Sequence, residues 1–189
     1  MPGIRLFLAP LFLVCLALAC GTGREPDRLP AAPPVETLEI SVTGSLPHDT
    51  GSFTQGLFFL DGLLFESTGN YGSSMLRVLD HSTGELLRSV RLDPSLFGEG
   101  CCLHGDTIYQ LTWKEHVVLL YDPESLERIG ELEYETEGWG ICSDGESLIM
   151  SDGTSYLYFR DPRTFALAER VQVTCGGRPL EYINEMEYV

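Results

Sequence analysis

Positive charge is scarce in this chain: Lys and Arg number 12 against 28 Asp and Glu, a formal net charge of −16. That balance excludes a nucleic-acid partner, whose phosphates need a basic surface, and a polybasic contact with an anionic membrane. Helical periodicity is almost absent after residue 38, which argues against bundles and helical solenoids. Metal-ligand spacing is lacking too. The cysteines beyond residue 37, namely Cys101, Cys102, Cys142 and Cys175, match no zinc pattern and form no C-x-x-C. They read as small buried residues, Cys101 and Cys102 on opposite faces of one strand, with a Cys102–Cys142 bridge as the alternative. His48, His81, His104 and His116 all lie beside turn residues or charges, a setting for solvated side chains rather than ligands.

What is present begins with an apolar leader. Arg5 precedes an uncharged run over residues 6–20 that is short for a membrane span. Ala17-Leu18-Ala19 fits an A-x-A cleavage site, so residues 1–19 read as a signal peptide. Cys20, directly after it, resembles the lipidated cysteine of a bacterial lipoprotein, although Ala17 stands where that box usually has Leu. Residues 20–37, with Pro26, Pro30, Pro33 and Pro34, read as a disordered tether. The chain is expected to be exported, to the periplasm or onto a membrane through Cys20, and to be a monomer. Residues 38–189 have the length of one domain.

That domain is expected to be all-β. Short strand-like runs alternate with turn dipeptides at Asp61-Gly62, Gly105-Asp106, Asp144-Gly145 and Asp152-Gly153. The chain also repeats itself. Gly56-Leu57-Phe58-Phe59-Leu60-Asp61-Gly62 aligns with the run opening at Gly100-Cys101-Cys102 and with Gly140-Ile141-Cys142-Ser143-Asp144-Gly145, at spacings of 44 and 40 residues (56 to 100, 100 to 140). Asp80-His81-Ser82-Thr83-Gly84 returns as Asp122-Pro123-Glu124-Ser125-Leu126 and as Asp161-Pro162-Arg163-Thr164-Phe165 on the same beat. A period of 40–45 residues with about four strands per unit is the signature of a β-propeller blade. Three units run from about 53 to 175, and a fourth is expected to open as a strand at Asn184-Glu185-Met186-Glu187. The domain thus reads as a partial propeller with open edges.

In a propeller the heads of the innermost strands converge at one mouth of the channel. The residues just before each aligned glycine are Gln55, Glu99 and Trp139, and Asn184 takes the corresponding place in the fourth unit. A decorative surface would repeat one polar type there. Here two amides, a carboxylate and an indole meet instead, and convergent polar groups in an aromatic concavity make a site. Glu99, held between Gly98 and Gly100, is the candidate reactive group.

Several uncommon strings then occur in one order: F-T-Q-G from Phe53, F-G-E-G-x-x-L-x-G-D-x-I-Y-Q-L-T-W from Phe97, E-G-W-G from Glu137, S-L-I-M-S-D-G from Ser147, L-Y-F-R-D-P from Leu157 and G-R-P-x-x-x-x-N-E-x-E-Y-V from Gly177. Together, over residues 47–189, they resemble the glutamine cyclotransferase family, the plant-type and bacterial glutaminyl-peptide cyclotransferases. The resemblance implies a five-bladed propeller, of which about three blades and the start of a fourth stand here. It implies an enzyme that converts the N-terminal glutamine of peptides and proteins to pyroglutamate with release of ammonia, using no metal and no other cofactor. It further implies Glu99 as general acid/base, Gln55 and Asn184 as substrate-holding amides, and Phe53, Phe97, Trp113 and Trp139 as an aromatic wall. A Trp and a Lys from later blades complete the family's site and lie beyond Val189, so this chain alone is expected to be weakly active or inactive.

Two readings compete with that one. A truncated propeller could serve as a non-catalytic binding platform, but a platform has no need of one carboxylate among amides and aromatics. A metal-dependent propeller hydrolase would need several carboxylates and His around one ion, and each mouth offers one clear carboxylate. Asp152 and Asp161 are expected to cap turns, and the alternating acidic stretch 131–135 to be a solvated strand face.

Overall fold

The computed structural model describes residues 39–189, so the leader of 1–19, Cys20 and the tether of 20–37 lie outside the described residues. Val42–Val189 forms one compact unit. Its regular structure is all strand. β1 (Thr54–Leu60), β2 (Leu63–Thr68), β3 (Met75–Asp80) and β4 (Leu86–Arg91) make a four-stranded antiparallel meander. β5 (Gly98–His104), β6 (Thr107–Thr112), β7 (Val117–Tyr121) and β8 (Arg128–Glu133) make a second. β9 (Ile141–Ser143), β10 (Leu148–Ser151), β11 (Tyr156–Arg160) and β12 (Leu167–Gln172) make a third, and β13 (Thr174–Cys175) pairs β14 (Arg178–Pro179) in a short hairpin. Three successive four-stranded meanders are propeller blades.

The turn dipeptides close these strands as their chemistry requires. Asp61 and Gly62 both hold positive φ, 48° and 78°, the conformation a two-residue hairpin loop needs. Burial falls from the inside outward. β5 and β6 are largely buried, whereas β4 and β8 alternate toward solvent and β12 is exposed throughout. The acidic 131–135 stretch follows this pattern, with Glu131, Glu133 and Glu135 outward.

The core is two slabs between blades rather than one centre. Phe58, Phe65, Leu76 and Val78 of the first blade pack against Ile108, Leu119 and Tyr121 of the second. Leu111 and Val118 of the second pack against Ile141, Leu148, Met150 and Phe165 of the third. Alternation along β5 puts Cys101 in the first slab and Cys102 in the second. Cys101, Cys102 and Cys142 are buried free thiols, with no Cys102–Cys142 bridge. Cys175 departs from the expectation of burial: it is exposed, because no described sheet packs on the β13–β14 hairpin. The expected fourth inner strand is not formed either. Residues 180–189 are irregular, since an inner strand needs an antiparallel neighbour and the described residues supply none.

Candidate active site

The repeated glycines decide how closely the inner strands meet. A Cβ on Gly56 would fall 2.5 Å from the Cys101 nitrogen, one on Gly100 2.6 Å from the Trp139 carbonyl oxygen, and one on Gly140 2.0 Å from the Asn184 carbonyl oxygen. Backbone therefore touches backbone from blade to blade, and the residue before each glycine sits beside its counterpart. Gly100 N–H donates to the Trp139 carbonyl at 2.8 Å across this seam.

Bulges then turn the side chains. The β1–β2 register slips between Thr54 and Gly56, leaving Gln55 unpaired, and the β5–β6 register slips between Gly98 and Cys101, around Glu99. A bulge breaks the ladder and re-aims its residue. Around Glu99 the loosened main chain is held from behind. Ser67 donates its hydroxyl to the Glu99 carbonyl, and Gln110 Nε2 donates to Ser67 Oγ at 2.7 Å.

The outcome is a cavity of about 220 Å³ lined by Phe53, Gln55, Phe97, Glu99, Trp113, Trp139 and Asn184. All seven residues singled out from the sequence, Cys20 aside, line this one space. Phe97 is its aromatic hub, with Phe53 edge-on at 6.3 Å, Tyr71 at 5.3 Å and Trp113 at 5.5 Å between ring centres. Gly69 leaves the room that Phe97 fills, since a Cβ there would lie 2.4 Å from the ring.

Glu99 is 6% exposed, and among the described residues no hydrogen bond reaches its carboxylate. Burial, and after it the charges of Glu137, Glu185 and Glu115, push its pKa up to about 8. Glu185, beside Asn184, is also pushed up to about 8 by the protein crowded around it, although its side chain keeps contact with water and accepts the Leu57 N–H at 3.1 Å. That solvent contact screens Glu185, whereas Glu99 is buried.

Three neighbours escaped the sequence reading. Glu137 accepts both indole N–H groups, Trp113 at 2.8 Å and Trp139 at 3.1 Å. Tyr71 meets Phe97 edge-on and donates to Glu115 at 2.8 Å, while Glu115 also accepts the Phe97 N–H at 3.3 Å. Glu137 stood in the E-G-W-G string without a signal of its own, and Tyr71 and Glu115 sit in hairpin loops with no local signal. The histidines serve locally, His48 on Glu66, His81 on the Gly62 carbonyl, His104 on Ser143 and His116 on the Thr136 carbonyl. Among the described residues no three His, Cys, Asp or Glu side chains group as a metal would need.

Known proteins resemble this chain in sequence and fold. The profile of the glutamine cyclotransferase family matches residues 12–189. A glutaminyl-peptide cyclotransferase from Arabidopsis thaliana is 39% identical over 153 residues, which cover 80% of this chain and 48% of that protein. The crystal structure of Myxococcus xanthus glutaminyl cyclase superposes with a TM-score of 0.71 at 39% identity, over 76% of this chain and 61% of that one. The WD40 domain of Neurospora crassa Pan2, at 15% identity and a TM-score of 0.54, shares the propeller fold alone. The chain thus spans about half the length of the curated relative it matches. It belongs to the glutamine cyclotransferase family.

Proposed function

We propose that this protein is a glutaminyl-peptide cyclotransferase, closing N-terminal glutamine to pyroglutamate, with Glu99 as its general acid/base. One observation carries the reading: a buried carboxylate that no hydrogen bond reaches among the described residues lines a small cavity with two amides and four aromatic rings. The substrate's α-amine attacks the glutamine side-chain carbonyl carbon, the C–N bond to the side-chain nitrogen breaks, and ammonia leaves. The attacking nitrogen must lose a proton and the leaving one must gain it. Glu99 as carboxylate accepts the first proton and returns it to the second, so no net proton is consumed.

A pKa of about 8 suits this shuttle at both ends. It lies near the ordinary value of the substrate's α-amine, about 7.7–8.0, so the carboxylate can take the amine's proton and then serve as the acid that hands it to the leaving nitrogen. Ring closure is intramolecular, and the remaining work is to hold one rotamer of the glutamine side chain in near-attack geometry. A cavity of about 220 Å³ walled by Phe53, Phe97, Trp113 and Trp139 has the size for one such side chain. Gln55 and Asn184, both lining it, offer amide N–H groups to the carbonyl oxygen that gains charge as the tetrahedral intermediate forms.

The test is incubation with a peptide beginning in glutamine, scored for ammonia above the spontaneous rate and for quenching of the protein's tryptophan emission. Trp113 and Trp139 are the only two tryptophans, so the emission reports on the cavity alone. Binding with enzyme-dependent ammonia supports the reading, and a protein that neither quenches nor releases ammonia refutes it. Export belongs to the same proposal: cleavage after Ala19 and lipidation of Cys20 would place the cavity outside the cytoplasm. Mass spectrometry of the mature protein checks this, and a retained Met1 would count against it.

A further inference from the structure

Both tryptophans hang on one atom. Trp113 follows β6 of the second blade and Trp139 precedes β9 of the third, yet both donate their only indole proton to Oε2 of Glu137. The other oxygen, Oε1, lies 3.8 Å from Lys114 Nζ, which in turn sits 3.7 Å from the centre of the Trp113 ring. Trp113 is therefore fixed at its edge by Glu137 and at its face by Lys114. Trp139 packs close over Gly153, where a Cβ would fall 2.6 Å from the indole.

As a half-exposed ion pair with Lys114, Glu137 would contribute little. Its bonds to the indoles are of another kind. They are charge-assisted, each uses the sole donor of its ring, and sharing an acceptor makes the two rings move together. Desolvation opposes ionisation of Glu137, but the indole N–H groups, Lys114 and His116 outweigh it and hold its carboxyl below the ordinary value. The acceptor is thus charged at any neutral pH.

We propose that Glu137 is the positioning residue of the cavity, setting the angle between the two indoles that wall it, with Lys114 pinning the face of Trp113. The inference rests on the cyclotransferase reading, in which that wall holds the glutamine side chain. Displacing a wall by about 1 Å can cost roughly a hundredfold in rate, so the effect falls on turnover more than on capture of the peptide.

The experiment compares Glu137→Ala and Glu137→Gln in the full chain. In the alanine variant the emission maximum should move to longer wavelength and the near-ultraviolet circular dichroism of the tryptophans should shrink, as both indole edges meet water. The kcat for a glutamine-initiated peptide should fall about 10–100-fold, with KM changed less. The glutamine variant keeps a carbonyl oxygen able to accept both protons, and should recover the emission and most of kcat. Should Glu137→Ala fail to fold, Glu137→Asp, one methylene too short to reach both rings, must shift the emission in the same direction. Unchanged emission in the alanine or aspartate variant overturns the proposal, as does a glutamine variant as displaced as the alanine one. The emission arm needs no turnover. A protein that neither binds nor cyclises a glutamine-initiated peptide would therefore sink the functional reading while the spectra still decide the role of Glu137.

Discussion

Between β3 and β4, β7 and β8, and β11 and β12, the same turn is built three times. Asp80 Oδ1 accepts the backbone N–H groups of Ser82 and Thr83 at 2.8 and 2.9 Å, Asp122 those of Glu124 and Ser125 at 3.1 and 2.7 Å, and Asp161 those of Arg163 and Thr164 at 2.9 and 3.0 Å. Four residues on, Gly84, Leu126 and Phe165 all take positive φ, at 74°, 58° and 56°. Leu126 and Phe165 bear that strain because their side chains are buried in the slabs between blades. The inner strand heads behave in the opposite way. Gly56, Gly100 and Gly140 keep the backbone geometry constant, while the residue before each changes from Gln55 to Glu99 to Trp139. Where the repeat keeps its residues it is holding the blade, and where it varies them on a constant backbone it is building a site.

The sharpest way to break that comparison is at Glu99. Glu99→Gln keeps the size and one acceptor oxygen but removes the proton shuttle, and general acid/base groups contribute roughly 10²–10⁴-fold. In a chain that also carries the family's later blades, ammonia release from a glutamine-initiated peptide should fall by about that factor after the spontaneous rate is subtracted, with quenching by the peptide nearly unchanged. Near-parental turnover would reduce Glu99 to a positioning group.

The same substitution should act oppositely on stability. Glu99 has a folded pKa of about 8 against an ordinary 4.5, so between those values the folded state holds a proton that the unfolded chain has lost. Stability therefore falls as pH rises from about 4.5 to about 8 and levels off above it. Glu99→Gln carries no such penalty and should be more stable than the parent at pH 9, by about a few kcal/mol, with the gap narrowing toward pH 5. A gap that is independent of pH would show that Glu99 is not strained by burial.

Next in size is the seam itself. Gly140→Ala puts a Cβ 2.0 Å from the Asn184 carbonyl, against backbone that cannot rotate away. Overpacking of this kind costs about 1–3 kcal/mol, and here it must also displace Asn184 from the cavity, so activity and thermal stability should fall together. Gly105→Ala is the contrast: nothing lies within 4 Å, and only its φ of 59° resists. It should cost stability alone, as measured by denaturant midpoints beside turnover.

The propeller was legible because its two punctuation marks, the inner glycine and the outer Asp turn, recur in every unit. Gln55, Glu99, Trp139 and Asn184 could be brought together by aligning those units, and Phe53, Phe97 and Trp113 by the resemblance to the family. The bulges at Gln55 and Glu99 were not legible, because a register slip depends on the partner strand and leaves no mark beyond a flanking glycine. Glu137 was hidden by abundance, one acidic residue in an acidic chain. Tyr71 and Glu115 meet across 44 residues of sequence, so their contact exists only once two blades are packed. The same dependence on neighbours explains the failed expectation at 180–189, where a strand-like string finds no strand to pair.

The smallest expected effect lies at the outer turns, where Asp122→Ala removes one copy of the repeated acceptor. The backbone N–H groups of Ser125 and Glu124 are exposed and turn to water, so the melting temperature should drop less than in Gly140→Ala, and turnover should not change. The loss should also depend on pH. Bonds from the Ser125 backbone and hydroxyl hold the Asp122 carboxyl below its ordinary 3.8, so its contribution is complete above that value and disappears as acid protonates it in the fold. Parent and variant should therefore converge as pH falls below 3.8 and differ by a constant amount from pH 5 upward. If Asp122→Ala instead lowered kcat as Gly140→Ala is expected to, the outer turns would be coupled to the cavity. The division between a repeated scaffold edge and a varied edge that lines the cavity would then fail for this propeller.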